Sequence, residues 1–212
     1  MKIISHRGFW LDVSEKNKKT AFERSFKLGY GTETDIRDYL GELVISHDVA
    51  NSECININDF FNLINANATK PLIFALNIKS DGLCELLNQA ISSATFKYKH
   101  EFFVFDMSVP DLNIYIKNSN LKVFTRMSEV EKEPAWEKDA DGIWLDSFGE
   151  CWFDYTLLND LLNEKKQVCV VSPELHNRDY LDFWENIKRL SYNENLIICT
   201  DKLSDAICYF EA

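Results

Sequence analysis

The chain has 212 residues, of which 46% are hydrophobic and 13% aromatic. This length fits one domain with a sizeable core, because α/β barrels of about this size form single units, and we expect one domain over residues 1–212. The formal net charge of −11 argues against a nucleic-acid-binding surface, which would be basic. No run approaches the roughly 18 apolar residues of a membrane span, and the apolar run at the N-terminus is too short for a signal peptide. The six cysteines form no CxxC pair, so we expect a cytoplasmic protein with no nucleic-acid partner and no stable membrane association.

Short apolar runs recur along the chain. Eight of them have the length and character of buried strands. They cover residues 2–5, 31–35, 72–77, 102–105, 122–125, 142–145, 167–171 and 196–199. A further short run at 43–46 follows Gly41, and we expect it to form a hairpin above the main sheet.

Segments with apolar residues at helical spacing lie between these runs. They cover residues 21–28, 60–64, 83–91, 157–162, 180–190 and 203–210. The alternation is weakest at 128–138, which is charged and poorly periodic. Strands that alternate with helices predict parallel βα units, and eight strands are the number that closes a barrel. The predicted fold class is therefore α/β, a (β/α)8 TIM barrel.

Titratable side chains follow the first two strands and the extra strand. His6 and Arg7 end the first, Glu33 and Asp35 lie on the second, and His47 follows the extra strand. Ligands of such barrels bind beyond the carboxyl ends of the strands. Glu33 and Asp35 have the same side-chain parity, so both point to one face, where they would repel each other without a cation. These residues predict metal-assisted chemistry on an anionic substrate.

Three short motifs in the first fifty residues carry a resemblance. They are Ser5-His6-Arg7-Gly8, Glu33-Thr34-Asp35 and His47-Asp48. Together they resemble the glycerophosphodiester phosphodiesterase family, which belongs to a TIM-barrel superfamily of PLC-like phosphodiesterases. The resemblance implies a phosphoric diester hydrolase that cleaves a P–O ester of a small-molecule phosphodiester. Relatives use an internal hydroxyl of the substrate as nucleophile, which implies a cyclic phosphate product.

The same resemblance implies one divalent metal ion, Mg²⁺ or Ca²⁺, with Mn²⁺ as an alternative. Its ligands would be Glu33, Asp35 and Asn77. The family usually has a glutamate at the position of Asn77, and an amide oxygen binds such ions without adding charge. Another carboxylate at a later strand end is therefore an alternative ligand: Asp106, Asp146 or Glu174.

Two histidines are the candidates for acid–base catalysis, and two cations are the candidates for binding the phosphate. His6 and His47 are the expected catalytic acid and base, since imidazoles titrate near neutrality, and the sequence leaves open which of them is the acid. Arg7 and Lys79 are the expected ligands of the substrate phosphate.

Further candidates have less specific positions. Asn17 lies in a segment similar to the Glu-Asn-Thr motif of the family and is a candidate for substrate contact or for support of the metal ligands. Trp10 follows the first strand and is a candidate wall of the substrate site. Asp106 and Glu174 are candidates for the same supporting or substrate-binding roles. His176, on the loop after the seventh strand, has the position of an ordinary solvated histidine.

Two other functions stay open from the sequence. Asn77 would also fit a phosphate-ester-binding protein on an inactive enzyme scaffold, and the charged strand ends would fit a metal-dependent barrel hydrolase of another ester. Nine residues separate His47 from Ile57, whereas the family usually has a long segment there that grips glycerol. The sequence therefore predicts an open site and leaves the two esterified alcohols unspecified.

Overall fold

A closed barrel of parallel strands forms the centre of the protein. The computed structural model describes residues 1–164 and 166–211. Within these residues, eight parallel strands pair in the order β1-β10-β9-β8-β7-β6-β5-β2, and β1 also pairs with β2, which closes the barrel. The strands are β1 (Lys2–His6), β2 (Gly31–Tyr39), β5 (Ile73–Ile78), β6 (Glu101–Phe105), β7 (Lys122–Met127), β8 (Gly142–Leu145), β9 (Gln167–Val171) and β10 (Leu196–Thr200). The predicted (β/α)8 barrel is therefore confirmed.

The expected hairpin is also present. Strand β3 (Glu42–Ile45) pairs antiparallel with the last part of β2, and the short β4 (Ile55–Asn56) pairs with β3. The turn between β2 and β3 uses Leu40 and Gly41, both at positive φ. This extension places the loop after β3 beside the carboxyl end of the barrel.

Helices cover the outside of the barrel. Within the described residues they are α1 (Lys19–Lys27), α2 (Ile57–Asn67), α3 (Cys84–Ser93), α4 (Val109–Asn118), α5 (Tyr155–Asn163), α6 (Leu181–Lys188) and α7 (Leu203–Phe210). Helix α4 is additional to the six segments expected from the sequence. Between β7 and β8, where every residue is described, the chain forms no α-helix. Among the helices described, none has the length and apolar character needed to cross a bilayer.

The barrel interior has an apolar floor. Phe103 stacks on Phe124 at 3.9 Å between ring centroids, and Phe105 stacks on Trp144 at 3.8 Å. These rings fill the interior together with Ile4, Ala75, Cys169, Val171, Ile197 and Cys199. Because side chains alternate along a strand, the inward positions two residues further on lie above this floor. At the ends of β1, β5, β7 and β8 those positions hold polar groups, namely His6, Asn77, Arg126 and Asp146, which form part of the mouth of the barrel.

Candidate active site

Two acidic side chains of β2 lie at the centre of the mouth. Asp35 is fully buried and has two cations beside it: Arg7 Nε lies 2.9 Å from its Oδ2, and Lys79 Nζ lies 3.5 Å from its Oδ1. The Asn17 amide donates a hydrogen bond of 2.8 Å to Asp35 Oδ2. These contacts balance the charge of Asp35, as expected for a carboxylate held at a buried position.

Glu33 is the second buried carboxylate of β2, and its pKa is raised. Its side chain is 2% exposed, and burial together with the charge of Asp35 raises its pKa to about 8, although Arg7, Lys79 and the Asn77 amide oppose the shift. Burial raises a carboxyl pKa because it disfavours the charged form. A bound cation would reverse this balance, since it would favour the ionised carboxylate.

Among the described residues, three buried carboxylate and amide oxygen atoms at the mouth have no hydrogen-bond partner. They are Glu33 Oε2, Asp35 Oδ1 and Asn77 Oδ1. Asp35 and Asn77 are directly paired across β2 and β5. Buried polar atoms in proteins are nearly always satisfied, and oxygen ligands are what Mg²⁺ and Ca²⁺ prefer. These three residues therefore fit the predicted divalent ion. The described part of the chain holds no group of three or more His, Cys, Asp or Glu side chains suited to a metal, so the amide of Asn77 is needed to complete the set.

His6 is held by a carboxylate from the last strand. Its Nδ1 lies 2.7 Å from Asp201 Oδ1, and its Nε2 lies 3.7 Å from Glu33 Oε2. Burial lowers the pKa of His6, while the hydrogen bond to Asp201 works in the opposite direction. The ring is thus oriented with one nitrogen on Asp201 and the other toward the acidic centre. This geometry is what a catalytic base requires.

Asp201 has two further partners. Trp10 Nε1 donates to its Oδ1 at 3.2 Å, and Lys16 Nζ donates to its Oδ2 at 3.2 Å. Lys16 also lies over the Trp10 ring, 4.6 Å from the centroid. Trp10 therefore supports the carboxylate that orients His6. The roles of Asp201 and Lys16 were missed from the sequence, where the position of Asp201 at the end of β10 was the available signal.

His47 lies at the rim of the mouth. Its side chain is 46% exposed, and its Nδ1 contacts the carboxylate of Asp48, which is itself 92% exposed, at 2.8 Å. It lines an open groove that also includes Arg7, Lys16 and Asn17. The structure therefore brings His47 to the same side of the barrel as the predicted phosphate ligands, on an exposed loop.

Several predicted site residues have a strained backbone. Arg7, Asn17 and Asp106 have φ values of 57°, 58° and 69°, a region that non-glycine residues seldom adopt. The Arg7 carbonyl accepts a hydrogen bond of 3.0 Å from the backbone N–H of Asn17. The side-chain Oδ1 of Asn17 accepts one of 2.8 Å from Thr34 Oγ1. Such strain is found where the surrounding structure fixes a functional side chain.

Gly8 allows the loop after β1 to approach α1. Its φ is 87°, and a Cβ at this position would lie 2.7 Å from the Cβ of Ala21. The Gly8 N–H donates to Thr32 Oγ1 at 2.8 Å. Glycine is therefore required here both by its conformation and by the space, and it fixes the path of the chain immediately after His6 and Arg7.

The other carboxylates at the mouth have protein partners. Arg126 Nη1 lies 2.6 Å from Asp106 Oδ1, and Lys79 Nζ lies 3.9 Å from Asp106 Oδ2. Burial raises the pKa of Asp106, although Arg126 and Lys79 oppose the shift. The contact to Lys79 places Asp106 next to this predicted phosphate ligand.

Glu174 joins the loops after β9 and β10. One of its oxygens accepts from Thr200 Oγ1 and from the Asp201 N–H, and the other accepts from Ser172 Oγ. These bonds join Glu174 to the loops after β9 and β10, so Glu174 supports Asp201, the residue that orients His6. Asp146 is bonded through its Oδ1, which lies 2.8 Å from His176 Nε2 and accepts from the Ser147 N–H at 2.7 Å.

The fold is shared with solved phosphodiesterases. A glycerophosphodiester phosphodiesterase from Parabacteroides distasonis matches with a TM-score of 0.69 at 15% identity, covering 99% of this chain and 96% of that one. A phosphodiesterase from Oleispira antarctica, solved with the product sn-glycerol-3-phosphate, matches with a TM-score of 0.73 at 12% identity, covering 100% and 97%. No protein-family model and no curated protein matches the sequence. The likeness implied by the motifs of the first fifty residues is thus confirmed at the level of the fold: the chain has the barrel of the glycerophosphodiester phosphodiesterases.

Proposed function

We propose that the protein is a metal-dependent phosphodiesterase that cleaves a P–O ester of a small phosphodiester. The observation that carries this proposal is the set of unpartnered buried oxygens of Glu33, Asp35 and Asn77, with Arg7 and Lys79 beside them. Oxygen ligands and flanking cations suit a divalent ion that shares a phosphate with the protein. The fold of solved phosphodiesterases supports the same reading.

The metal would be held by Glu33, Asp35 and Asn77, and it would be Mg²⁺ or Ca²⁺, with Mn²⁺ as the alternative. When bound, it would supply positive charge that stabilises the negative charge developing on the phosphate in the transition state. Arg7 and Lys79 bind the remaining phosphate oxygens, because charge-assisted hydrogen bonds to phosphate are short and strong. Both side chains lie beside Asp35, at the ends of β1 and β5, the two barrel strands that flank β2.

His6 is the proposed general base. Asp201 holds its Nδ1, which leaves Nε2 to take a proton from the nucleophile. That nucleophile is an internal hydroxyl of the substrate in the proposal, so the first product is a cyclic phosphate. A second imidazole then protonates the departing alcohol, and the sequence offers His47 for this step.

The charge of the chain supports a restricted set of partners. With a net charge of −11, attraction to nucleic acid or to anionic lipid is unfavourable. We therefore propose a small-molecule diester as the partner, a cytoplasmic location, and no stable association with nucleic acid or membranes.

The test is turnover of a matched pair of diesters. The pair is 2-hydroxypropyl p-nitrophenyl phosphate, which has a good leaving group, and 2-hydroxypropyl methyl phosphate, which has a poor one. Each is assayed after chelation and after addition of Mg²⁺, Ca²⁺ or Mn²⁺, with Glu33→Gln as the matched variant. We expect turnover that needs metal and is lost in the variant. Full activity in excess chelator would refute the proposed metal dependence.

Two other results would redirect the assignment. Binding of inorganic phosphate without turnover of either diester would favour the phosphate-ester-binding protein. Metal-dependent cleavage of p-nitrophenyl acetate, with both phosphodiesters untouched, would favour a hydrolase of another ester. A wider panel of glycerol, sugar, lipid and nucleotide phosphodiesters then identifies the esterified alcohols.

A further inference from the structure

A second histidine–carboxylate pair faces the mouth on the side opposite β2. His176 Nε2 lies 2.8 Å from Asp146 Oδ1. We propose that His176, oriented by Asp146, is the general acid that protonates the departing alcohol, in place of the exposed His47. This inference rests on the proposed phosphodiesterase function.

Asp146 is fixed at the end of β8. Its N–H donates to the Met127 carbonyl at 2.9 Å, and its own carbonyl accepts from Trp152 Nε1 at 2.7 Å. The residue is 6% exposed, and its Oδ1 also accepts from the Ser147 N–H. A buried carboxylate with a fixed backbone and a bound imidazole is the arrangement that selects one tautomer and one ring orientation.

The loop that carries His176 is fixed to β8 as well. Arg178 donates from its guanidinium to the Ser147 carbonyl, and the ring of Phe148 packs edge-on against His176 at 5.7 Å between centroids. A short 3-10 helix, Pro173–His176, ends at Asn177 with φ of 58°. These contacts hold the imidazole over the end of the neighbouring strand.

The side-chain parity of β8 directs this pair toward the barrel axis. Trp144 points inward and stacks on Phe105, and Asp146 lies two residues further along the same face. Burial raises the pKa of the inward-facing Cys169, and the charges of Glu33 and Asp146 raise it further. The two carboxylates therefore face the same interior from opposite sides.

The positions of His6 and His176 suit the two ends of a phosphodiester. Strands β1 and β9 are both neighbours of β10, so the segments that carry His6 and His176 leave the barrel about two strand spacings apart, roughly 10 Å. An acid and a base that flank an in-line displacement each need a hydrogen bond of about 2.6–3.2 Å to their oxygen, so a separation of this order is required. The His47 side chain, by contrast, lies on the β2 side and contacts the carboxylate of Asp48, which is itself exposed.

In the proposed step one proton moves to His6 and one leaves His176. His6 takes the proton of the attacking hydroxyl as its oxygen bonds to phosphorus. The P–O bond to the leaving alcohol breaks, and the bridging oxygen receives a proton from Nδ1 of His176, whose Nε2 stays on Asp146. The products are a cyclic phosphodiester and a neutral alcohol, with His6 protonated and His176 neutral.

The experiment uses the leaving-group dependence of His176→Gln, His47→Gln and His6→Ala, with the matched pair of hydroxypropyl diesters. p-Nitrophenolate departs without a proton, whereas the methyl ester needs one. We expect His176→Gln to lower kcat on the methyl ester by about 10²-fold and to leave kcat on the p-nitrophenyl ester little changed. His6→Ala should slow both substrates, and His47→Gln should show no such leaving-group dependence. His100→Gln serves as the histidine control, because His100 precedes β6 at the other end of the barrel.

Asp146→Asn keeps the shape of the pair and provides a second variant. It should reproduce the same leaving-group dependence to a smaller extent, with circular dichroism and Tm confirming the fold. Equal effects of His176→Gln on both substrates, or a selective loss in His47→Gln, would overturn the assignment while leaving the phosphodiesterase itself intact. A wild-type protein that turns over neither diester would instead refute the proposed function and this step with it.

Discussion

Glu33→Gln tests the acidic centre through the stability of the metal-free protein. In the folded state burial and Asp35 raise the pKa of Glu33 to about 8, whereas in the unfolded chain it returns to an ordinary carboxyl value of about 4.3. Between these two values the folded protein keeps a proton that the unfolded chain has released. The free energy of unfolding therefore falls as pH rises through this window.

The structure sets the size of the effect. A full proton difference changes the free energy of unfolding by about 1.4 kcal/mol per pH unit, so wild type should lose about 2–3 kcal/mol between pH 5.5 and 7.5 in chelator. For a chain of this length that corresponds to a fall in Tm of about 4–12 °C. Glu33→Gln has no titrating group there and should lack this part of the pH dependence.

The assay is urea unfolding followed by tryptophan fluorescence, at pH 5.5, 6.5, 7.5 and 8.5 in excess chelator. Glu133→Gln, at an exposed position, is the matched control and should follow wild type. With Mg²⁺ or Ca²⁺ present, wild type should gain stability at the higher pH values, because the metal binds the ionised carboxylate. Parallel pH profiles for wild type and Glu33→Gln would refute the reasoning, since Glu33 would then titrate alike in both states.

Five further variants, at four positions, test the site and its scaffold. Asn77→Glu should tighten and Asn77→Leu should weaken binding of the divalent ion in calorimetry, because ligand charge sets affinity; equal affinities would remove Asn77 from the metal shell. His6→Ala should lower kcat by about 10²-fold or more with little change in Tm, and Asp201→Asn should lower kcat with a shifted pH profile; retention of most activity would exclude the assigned base. Gly8→Ala should lower the free energy of unfolding by about 1–3 kcal/mol, since its Cβ would meet Ala21; an unchanged urea midpoint would contradict this.

The strands could be predicted because the barrel buries both of their faces. In β9 and β10 every residue is buried, so these strands read as continuous apolar runs between polar segments. Helix α4 was missed for the opposite reason. Only Asp111, Leu112 and Tyr115 are buried in it, and Pro110 and Asn113 interrupt the pattern. Its start is instead marked by Ser108, whose side chain caps the Asp111 N–H.

The part of the candidate site that could be predicted consists of residues close together in the sequence. His6, Arg7, Glu33 and Asp35 follow or lie on two strands that are adjacent both in the chain and in the barrel. The partner of His6 could not be assigned in the same way, because Asp201 lies 195 residues away and the contact exists only once β10 closes the barrel beside β1. Pairings of this kind depend on topology, and no local pattern encodes them.

Charges of alternating sign surround the mouth, although the chain as a whole is strongly acidic. Arg7 contacts Asp35, Lys79 lies between Asp35 and Asp106, and Arg126 contacts Asp106. The distances distinguish these cations. Arg7 Nε and Arg126 Nη1 lie within 2.9 Å and 2.6 Å of their carboxylates, whereas Lys79 Nζ lies 3.5 Å and 3.9 Å from its two. In the proposed mechanism Lys79 therefore turns to a phosphate with the loss of long contacts to Asp35 and Asp106, while Arg7 and Arg126 stay beside these two carboxylates. Of the two proposed phosphate ligands, Arg7 therefore keeps its Nε beside Asp35, and Lys79 is the one that would give up less to bind substrate.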